Sequence, residues 1–120
     1  MTRSCLVAAR RPELLRSLKR ALEPEVEVVG MSDNLLSLED SLSALDPEIA
    51  VVDLDLLGDA PWKLLSLLKR GAPRVRLVLL VSELGPDAHQ LALRAGADHI
   101  VERSGALTSL RDAVLDSLQP

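Results

Sequence analysis

Aromatic residues are almost absent from this sequence. Trp62 is the single one, and the chain has no Phe and no Tyr. Since 48% of the residues are nonetheless hydrophobic, the core must be built from Leu, Val, Ile and Ala. A chain of 120 residues is long enough for one compact core and short for two. We therefore expect a single domain over residues 1–120.

Cysteine is equally scarce. Cys5 is the only one, so no disulfide can form within the chain, and a reducing compartment is expected. The apolar run at residues 5–9 is too short for a signal peptide. No apolar run approaches the roughly 20 residues that a membrane-spanning helix needs. These absences predict a cytoplasmic protein without a membrane partner.

Several binding and catalytic motifs are also missing. The net charge of −4 argues against nucleic-acid binding by this domain itself, because such binding depends on Lys and Arg. The six glycines form neither a dinucleotide-binding fingerprint nor a P-loop. His89 and His99 lack the neighbouring ligands that a zinc site requires. We expect neither an enzyme nor a resident cofactor.

The sequence does contain a fivefold alternation of short apolar runs and amphipathic segments. The apolar runs predict strands at residues 5–8, 26–30, 49–52, 75–81 and 100–101. Leucine at helical spacing predicts helices at residues 12–22, 34–45, 60–70, 86–95 and 107–118, the second one capped by Asp33 or Ser32. Strict alternation implies a parallel sheet with helices on both faces. Its functional crevice should lie at the carboxyl ends of the strands.

Two segments carry a family resemblance. Residues 51–58, Val-Val-Asp-Leu-Asp-Leu-Leu-Gly, resemble the phosphoacceptor strand and loop of bacterial response-regulator receiver domains. Residues 91–98, Leu-Ala-Leu-Arg-Ala-Gly-Ala-Asp, resemble the end of the fourth helix and the turn into strand five. Residues 11–16 and 26–30 match in the same order, so that the similarity covers essentially the whole chain.

The resemblance is to receivers of the NarL/FixJ subgroup of two-component regulators, which carry a LuxR-type helix-turn-helix. It implies a CheY-like (βα)5 fold, a doubly wound three-layer sandwich whose five-stranded parallel sheet has the order 2-1-3-4-5. It also implies that the chain is the N-terminal part of a longer regulator.

The resemblance places the phosphoacceptor on Asp53. The acidic pair that helps to hold Mg²⁺ in the family falls on Ala9 and Arg10. Asp55 is the other carboxylate expected near the crevice, on the same face as Asp53 if the strand extends that far. An arginine in place of an acid disfavours a divalent cation, which prefers carboxylate oxygens. We therefore expect Mg²⁺ to bind weakly or not at all.

The remaining family positions are also altered. The hydroxyl residue at the end of strand four falls on Val81, with Ser82 one step away, and the lysine after strand five falls on Arg103. The aromatic switch residue falls on Ile100 and the loop proline on Leu57. A guanidinium can pair with a carboxylate in a fork, so Arg10 or Arg103 is expected to pair with Asp53 in place of the metal.

These substitutions predict a signal-transduction receiver with a degenerate phosphorylation site. Such a domain would act as a protein-interaction or dimerisation module that regulates an output domain, for example a helix-turn-helix transcription regulator. One alternative is a true phosphoacceptor, phosphorylated on Asp53 by a histidine kinase. A second alternative is a sensor of a small acidic ligand.

The expected partner is another protein or a second copy of the chain. Family resemblance favours the surface of the fourth helix, fifth strand and fifth helix, which comprises His89, Arg94, Val101, Arg111 and Asp112. The first and fifth helices are the alternative surface.

Overall fold

A computed structural model describes residues 3–23, 25–103 and 107–117 of the chain, and it describes residues 107–110 and 117 by their backbone alone. The strands are β1 (Arg3–Ala8), β2 (Val26–Ser32), β3 (Ile49–Asp53), β4 (Arg76–Val81) and β5 (His99–Glu102). The helices are α1 (Pro12–Leu22), α2 (Leu35–Leu45), α3 (Pro61–Gly71), α4 (Pro86–Ala95) and α5 (Leu107–Ser117). A 3-10 turn (Leu54–Leu57) follows β3.

The five strands form one parallel sheet in the order β2-β1-β3-β4-β5, which confirms the predicted topology. Helices α1 and α5 cover one face, where Leu18 and Val114 pack with Val7 and Val51. Helices α2, α3 and α4 cover the other face. Every residue of β3 is buried, which explains why its sequence is an unbroken apolar run that ends in Asp53.

Local signals set most helix boundaries. Pro12 and Pro86 begin α1 and α4, where a missing backbone N–H costs nothing. The N-cap of α2 is Asn34, whose side-chain oxygen accepts a hydrogen bond from the Ser37 N–H at 2.9 Å. The prediction of Asp33 or Ser32 as this cap is therefore wrong, and Ser32 instead ends β2 in a buried position.

Strand β2 is longer than predicted, because Met31 and Ser32 pair with Val7 and Ala8 of β1, and it contains a bulge. Cys5 pairs with Val28, whereas Leu6 pairs with Gly30, so that Val29 is the extra residue. A Cβ at Gly30 would lie 2.9 Å from Leu45 Cδ1, so that α2 packs closely on β2 at this glycine.

Asp98 joins three elements at the amino edge of the sheet. Its Oδ2 accepts hydrogen bonds from Lys69 Nζ at 2.8 Å and from the Leu77 N–H at 2.7 Å. Lys69 Nζ also donates to the Val75 carbonyl at 2.6 Å. Burial alone would raise the pKa of Asp98, but these hydrogen bonds and the charges of Lys69 and Arg76 outweigh it and lower the pKa. The contact therefore ties α3 to β4 and to the turn before β5.

None of the helices in the described ranges is long and apolar enough to cross a bilayer.

Candidate functional site

The crevice at the carboxyl edge of the sheet has Asp53 at its floor. Asp53 is the last residue of β3 and is only 4% exposed. Burial raises the pKa of its carboxyl group above the ordinary 3.8, because a charged carboxylate loses hydration there. The charges of Arg103 and Arg11 and a hydrogen bond with the Asp55 backbone oppose this effect, and the charge of Asp55 adds to it. The net result is a raised pKa.

Asp55 does not share a strand face with Asp53. Strand β3 ends at Asp53, and Asp55 lies exposed in the 3-10 turn that follows. The shared face was expected only if the strand extended to Asp55, and that condition is not met.

The segment after β1 brings an arginine to the crevice, but not the expected one. Ala9 is completely buried in the α1 and α5 side of the core, and its N–H donates to the Ser32 carbonyl at 3.0 Å. Arg10 is exposed. Arg11, the N-cap residue of α1, is the one whose charge lowers the pKa of Asp53. Sequence reasoning missed Arg11, although its position three residues after the end of β1 already placed it near this edge.

Arg103 contacts the other side of the crevice. Its Nη2 donates to Ser82 Oγ at 2.8 Å, and its backbone N–H donates to the Val81 carbonyl at 2.6 Å. Its Nε is buried, with no hydrogen-bond partner among the residues that the structure describes. Ser82 is exposed, whereas Val81 is fully buried among apolar side chains. The exposed hydroxyl at this edge is therefore that of Ser82, and Arg103 holds it.

The expected ion pair to Asp53 is not formed. Within the described ranges, neither Arg10 nor Arg103 lies within 4.0 Å of its carboxylate oxygens, and Arg103 bonds to Ser82 instead. Arg103 and Arg11 act on Asp53 at longer range, through their charges. The arginines thus change the electrostatics of the crevice without replacing a metal by direct contact.

Neither a protein-family model nor a curated protein matches the sequence. Solved structures do match. The isolated receiver domain of RcsB from Salmonella enterica serovar Typhimurium is 26% identical, with a TM-score of 0.83 over 96% of this chain and 87% of that one. The chain has the fold of a response-regulator receiver domain. The receiver domain of NarL from Mycobacterium tuberculosis is 23% identical, with a TM-score of 0.83 over 96% and 94% of the two chains. A response regulator from Thermotoga maritima is 18% identical, with a TM-score of 0.85 over 98% of each.

The side chains in the crevice do not fit Mg²⁺. That ion requires several oxygen ligands in an octahedral arrangement. Asp53 supplies a buried carboxylate, Asp55 is exposed outside the strand, and Ala9 offers only a methyl group. In the part of the chain that the structure describes, no three His, Cys, Asp or Glu side chains converge to hold a metal ion. The donor set is therefore too small for a divalent cation.

The surface predicted from family resemblance is only partly available. His89 and Arg94 are exposed on α4. Arg111 and Asp112 on α5 pair with each other at 3.5 Å. Val101 is only 7% exposed and packs in the core under α1 and α5, so its side chain is not available to a partner.

Ile100, which the resemblance places at the switch position, is half-buried and packs against the other core, under α2, α3 and α4. Leu57, which the resemblance places at the loop proline, is buried. Both side chains therefore contribute to packing.

Proposed function

We infer that this receiver domain regulates an output domain through protein contacts, without phosphorylation of Asp53 as its signal. The observation that carries this proposal is the composition of the crevice. Asp53 is buried at its floor, and the two residues directly after β1 are a buried methyl group, Ala9, and an exposed cation, Arg10.

Phosphoryl transfer to a carboxylate requires neutralisation of charge on both the acceptor and the phosphoryl oxygens. A divalent cation normally supplies that neutralisation. Here the nearby carboxylates among the described residues are too few to hold one, and the positive charges of Arg103 and Arg11 near Asp53 oppose its approach. The crevice therefore lacks what the transfer needs.

The crevice also disfavours a small acidic ligand. An anion that entered as deeply as Asp53 would be repelled by its carboxylate. A protein contact is the function that remains.

Similar structures indicate what such a contact would control. RcsB from Salmonella enterica serovar Typhimurium has been solved bound to the rprA promoter in the presence of the phosphomimetic BeF3⁻, and this chain covers 67% of that one. By analogy, we propose that the output of this domain is a helix-turn-helix transcription regulator. A histidine kinase remains a candidate partner that binds without transferring phosphate.

Incubation with Mg²⁺ and acetyl phosphate tests the proposal. Intact-mass analysis should show no phosphoryl adduct on the wild-type protein. Asp53→Asn is the control for the site of any adduct. A phosphoryl adduct that is present in the wild type and absent in Asp53→Asn would overturn the proposal in favour of the phosphoacceptor alternative.

A variant with two carboxylates after β1 tests whether the lack of acidic residues there prevents Mg²⁺ binding. Ala9→Asp combined with Arg10→Asp returns two carboxylates to the end of β1. The fluorescence of Trp62, half-buried at the start of α3, reports on the neighbouring acceptor loop. Mg²⁺ should change that fluorescence in the double variant and leave the wild type unchanged. A response of equal size in the wild type would show that the substituted residues do not prevent metal binding.

A further inference from the structure

We propose that the surface along the free edge of β2 is a homodimer interface, in which α1 of each copy packs against α2 of the other. This inference rests on the proposed function, since it names a second copy of the chain as the protein partner. The β2-side surface is defined by Arg16, Lys19, Met31, Leu36, Asp40 and Leu45.

The first observation is the distribution of exposed apolar side chains. Met31 on β2 is 47% exposed, and on α2 Leu36 is 69% and Leu45 is 44% exposed. Met31 pairs with Val7, which places its side chain on the face of the sheet that α1 covers. Leu45 lies on the other face, near Gly30. Exposed apolar side chains thus stand on both sides of one sheet edge.

The second observation is that the outer side of α1 is basic. The flank of α1 that carries half-buried Leu14 and Ser17 faces α5, the neighbouring helix on this face of the sheet. Lys19 and Arg16 lie on the opposite, exposed flank, toward β2. Among the residues that the structure describes, neither has an ion-pair partner. Residues 10–20 carry five cations and one anion, whereas the whole chain has a net charge of −4.

The third observation is that the outer side of α2 is acidic. Ser37 and Ser41 contact Ser32 at the end of β2, so their flank of α2 faces the β2 edge. Asp40 lies next to them on the exposed side, one helical turn from Leu36. The segment Leu35–Leu45 contains no basic residue. A free cationic flank and a free anionic flank therefore border the same edge, one on each face of the sheet.

A twofold axis parallel to β2 makes this surface complementary to itself. Rotation about that axis exchanges the two faces of the sheet, so that α1 of one copy lies beside α2 of the other. Lys19 and Arg16 then face Asp40 of the second copy, and Met31 faces its Leu36 and Leu45. Both contacts occur twice, as in a closed isologous dimer. The bulge at Val29 disfavours simple strand addition at this edge, so the interface is formed by side chains.

Charge reversal and rescue test this interface. Sedimentation velocity should show a dimer for the wild type at low salt, with weaker association as the salt concentration rises. Lys19→Glu puts like charges together at both contacts and should weaken the dimer about 10- to 100-fold. Adding Asp40→Lys to that variant exchanges the charges and should restore the affinity to within about threefold, a result that a folding defect cannot produce. Lys63→Glu, on an exposed lysine of α3 away from this surface, should leave the affinity unchanged.

Two results would overturn the inference: a wild-type protein that stays monomeric at every concentration tested, or a dimer that Lys19→Glu leaves intact. A phosphoryl adduct on Asp53 would contradict the proposed function without altering the dimer. A monomer without such an adduct would refute this interface and leave the proposed function standing.

Discussion

The contact of Asp98 with Lys69 and Leu77 offers a quantitative test of how α3, β4 and β5 are held together. We expect Asp98→Ala to destabilise the domain by about 2 kcal/mol. Leu77 is fully buried, so the loss of the Asp98 acceptor leaves its N–H without a partner, which costs about 1–3 kcal/mol. The Asp98 side chain is 38% exposed, so its ion pair with Lys69 is screened by water and adds less than about 1 kcal/mol.

A destabilisation of this size corresponds to a fall in Tm of about 6–12 °C for a domain of this length. Urea denaturation at neutral pH, followed by circular dichroism, measures the free energy directly. Asp98→Asn is the matched control, since its amide oxygen can still accept from the Leu77 N–H while the charge is lost. Its cost should be about half that of Asp98→Ala. An Asp98→Ala protein within about 0.5 kcal/mol of the wild type would refute the reasoning.

The pH dependence gives a second check on the same contact. The pKa of Asp98 is lowered in the folded state, so the folded protein favours its charged form. The resulting stabilisation is fully present above the ordinary pKa of 3.8 and is lost as the pH falls through the folded-state pKa. The stability difference between the wild type and Asp98→Asn should therefore disappear in acid. A difference that stayed constant to pH 2 would show that the charge of Asp98 contributes nothing.

Two further predictions concern Gly96 and Asp53. Gly96 has φ = 123°, and an added Cβ would lie 2.9 Å from Lys69 Cβ, so Gly96→Ala should cost about 2 kcal/mol by urea denaturation. Gly71→Ala, with open space around the new Cβ, should be neutral or slightly stabilising, and equal costs for the two variants would argue against the strain at Gly96. Asp53→Asn should make the domain more stable at neutral pH, because burial raises the pKa of Asp53 and disfavours its charged form in the folded state. Since a group with a raised pKa contributes stability below its unfolded pKa and loses it as the pH rises, this difference should vanish in strong acid. An Asp53→Asn protein that is less stable than the wild type at pH 7 would contradict this prediction for Asp53.

Local features made the fold predictable. Leucine at helical spacing, Pro12 and Pro86 at helix starts and Gly96 after α4 gave the bounds of α1 and α4 as the structure has them. The cap of α2 was missed, because Ser32, Asp33 and Asn34 are all capping residues and their order alone does not select one. The extension of β2 to Ser32 was missed as well, since its pairing depends on the partner strand.

The site was harder to predict because its geometry depends on distant segments. The sequence placed Asp53 at the end of a strand, and the structure agrees. It could not show that the chain turns into a 3-10 helix directly afterwards and removes Asp55 from the strand face. Nor could it show that Arg103 donates to Ser82, 21 residues away, instead of pairing with Asp53.

By itself, the sequence determined the alternation of strands and helices, a core built from aliphatic side chains, and the non-acidic residues Ala9 and Arg10 after β1. These features depend on composition and on neighbours within a few residues, whose hydrophobic period and turn chemistry are local. Only the tertiary structure decided which arginine acts on Asp53, that Val101 faces the core, and that Asp98 joins Lys69 across 29 residues. Those outcomes depend on which strands are neighbours in the sheet and on the depth at which each side chain is buried.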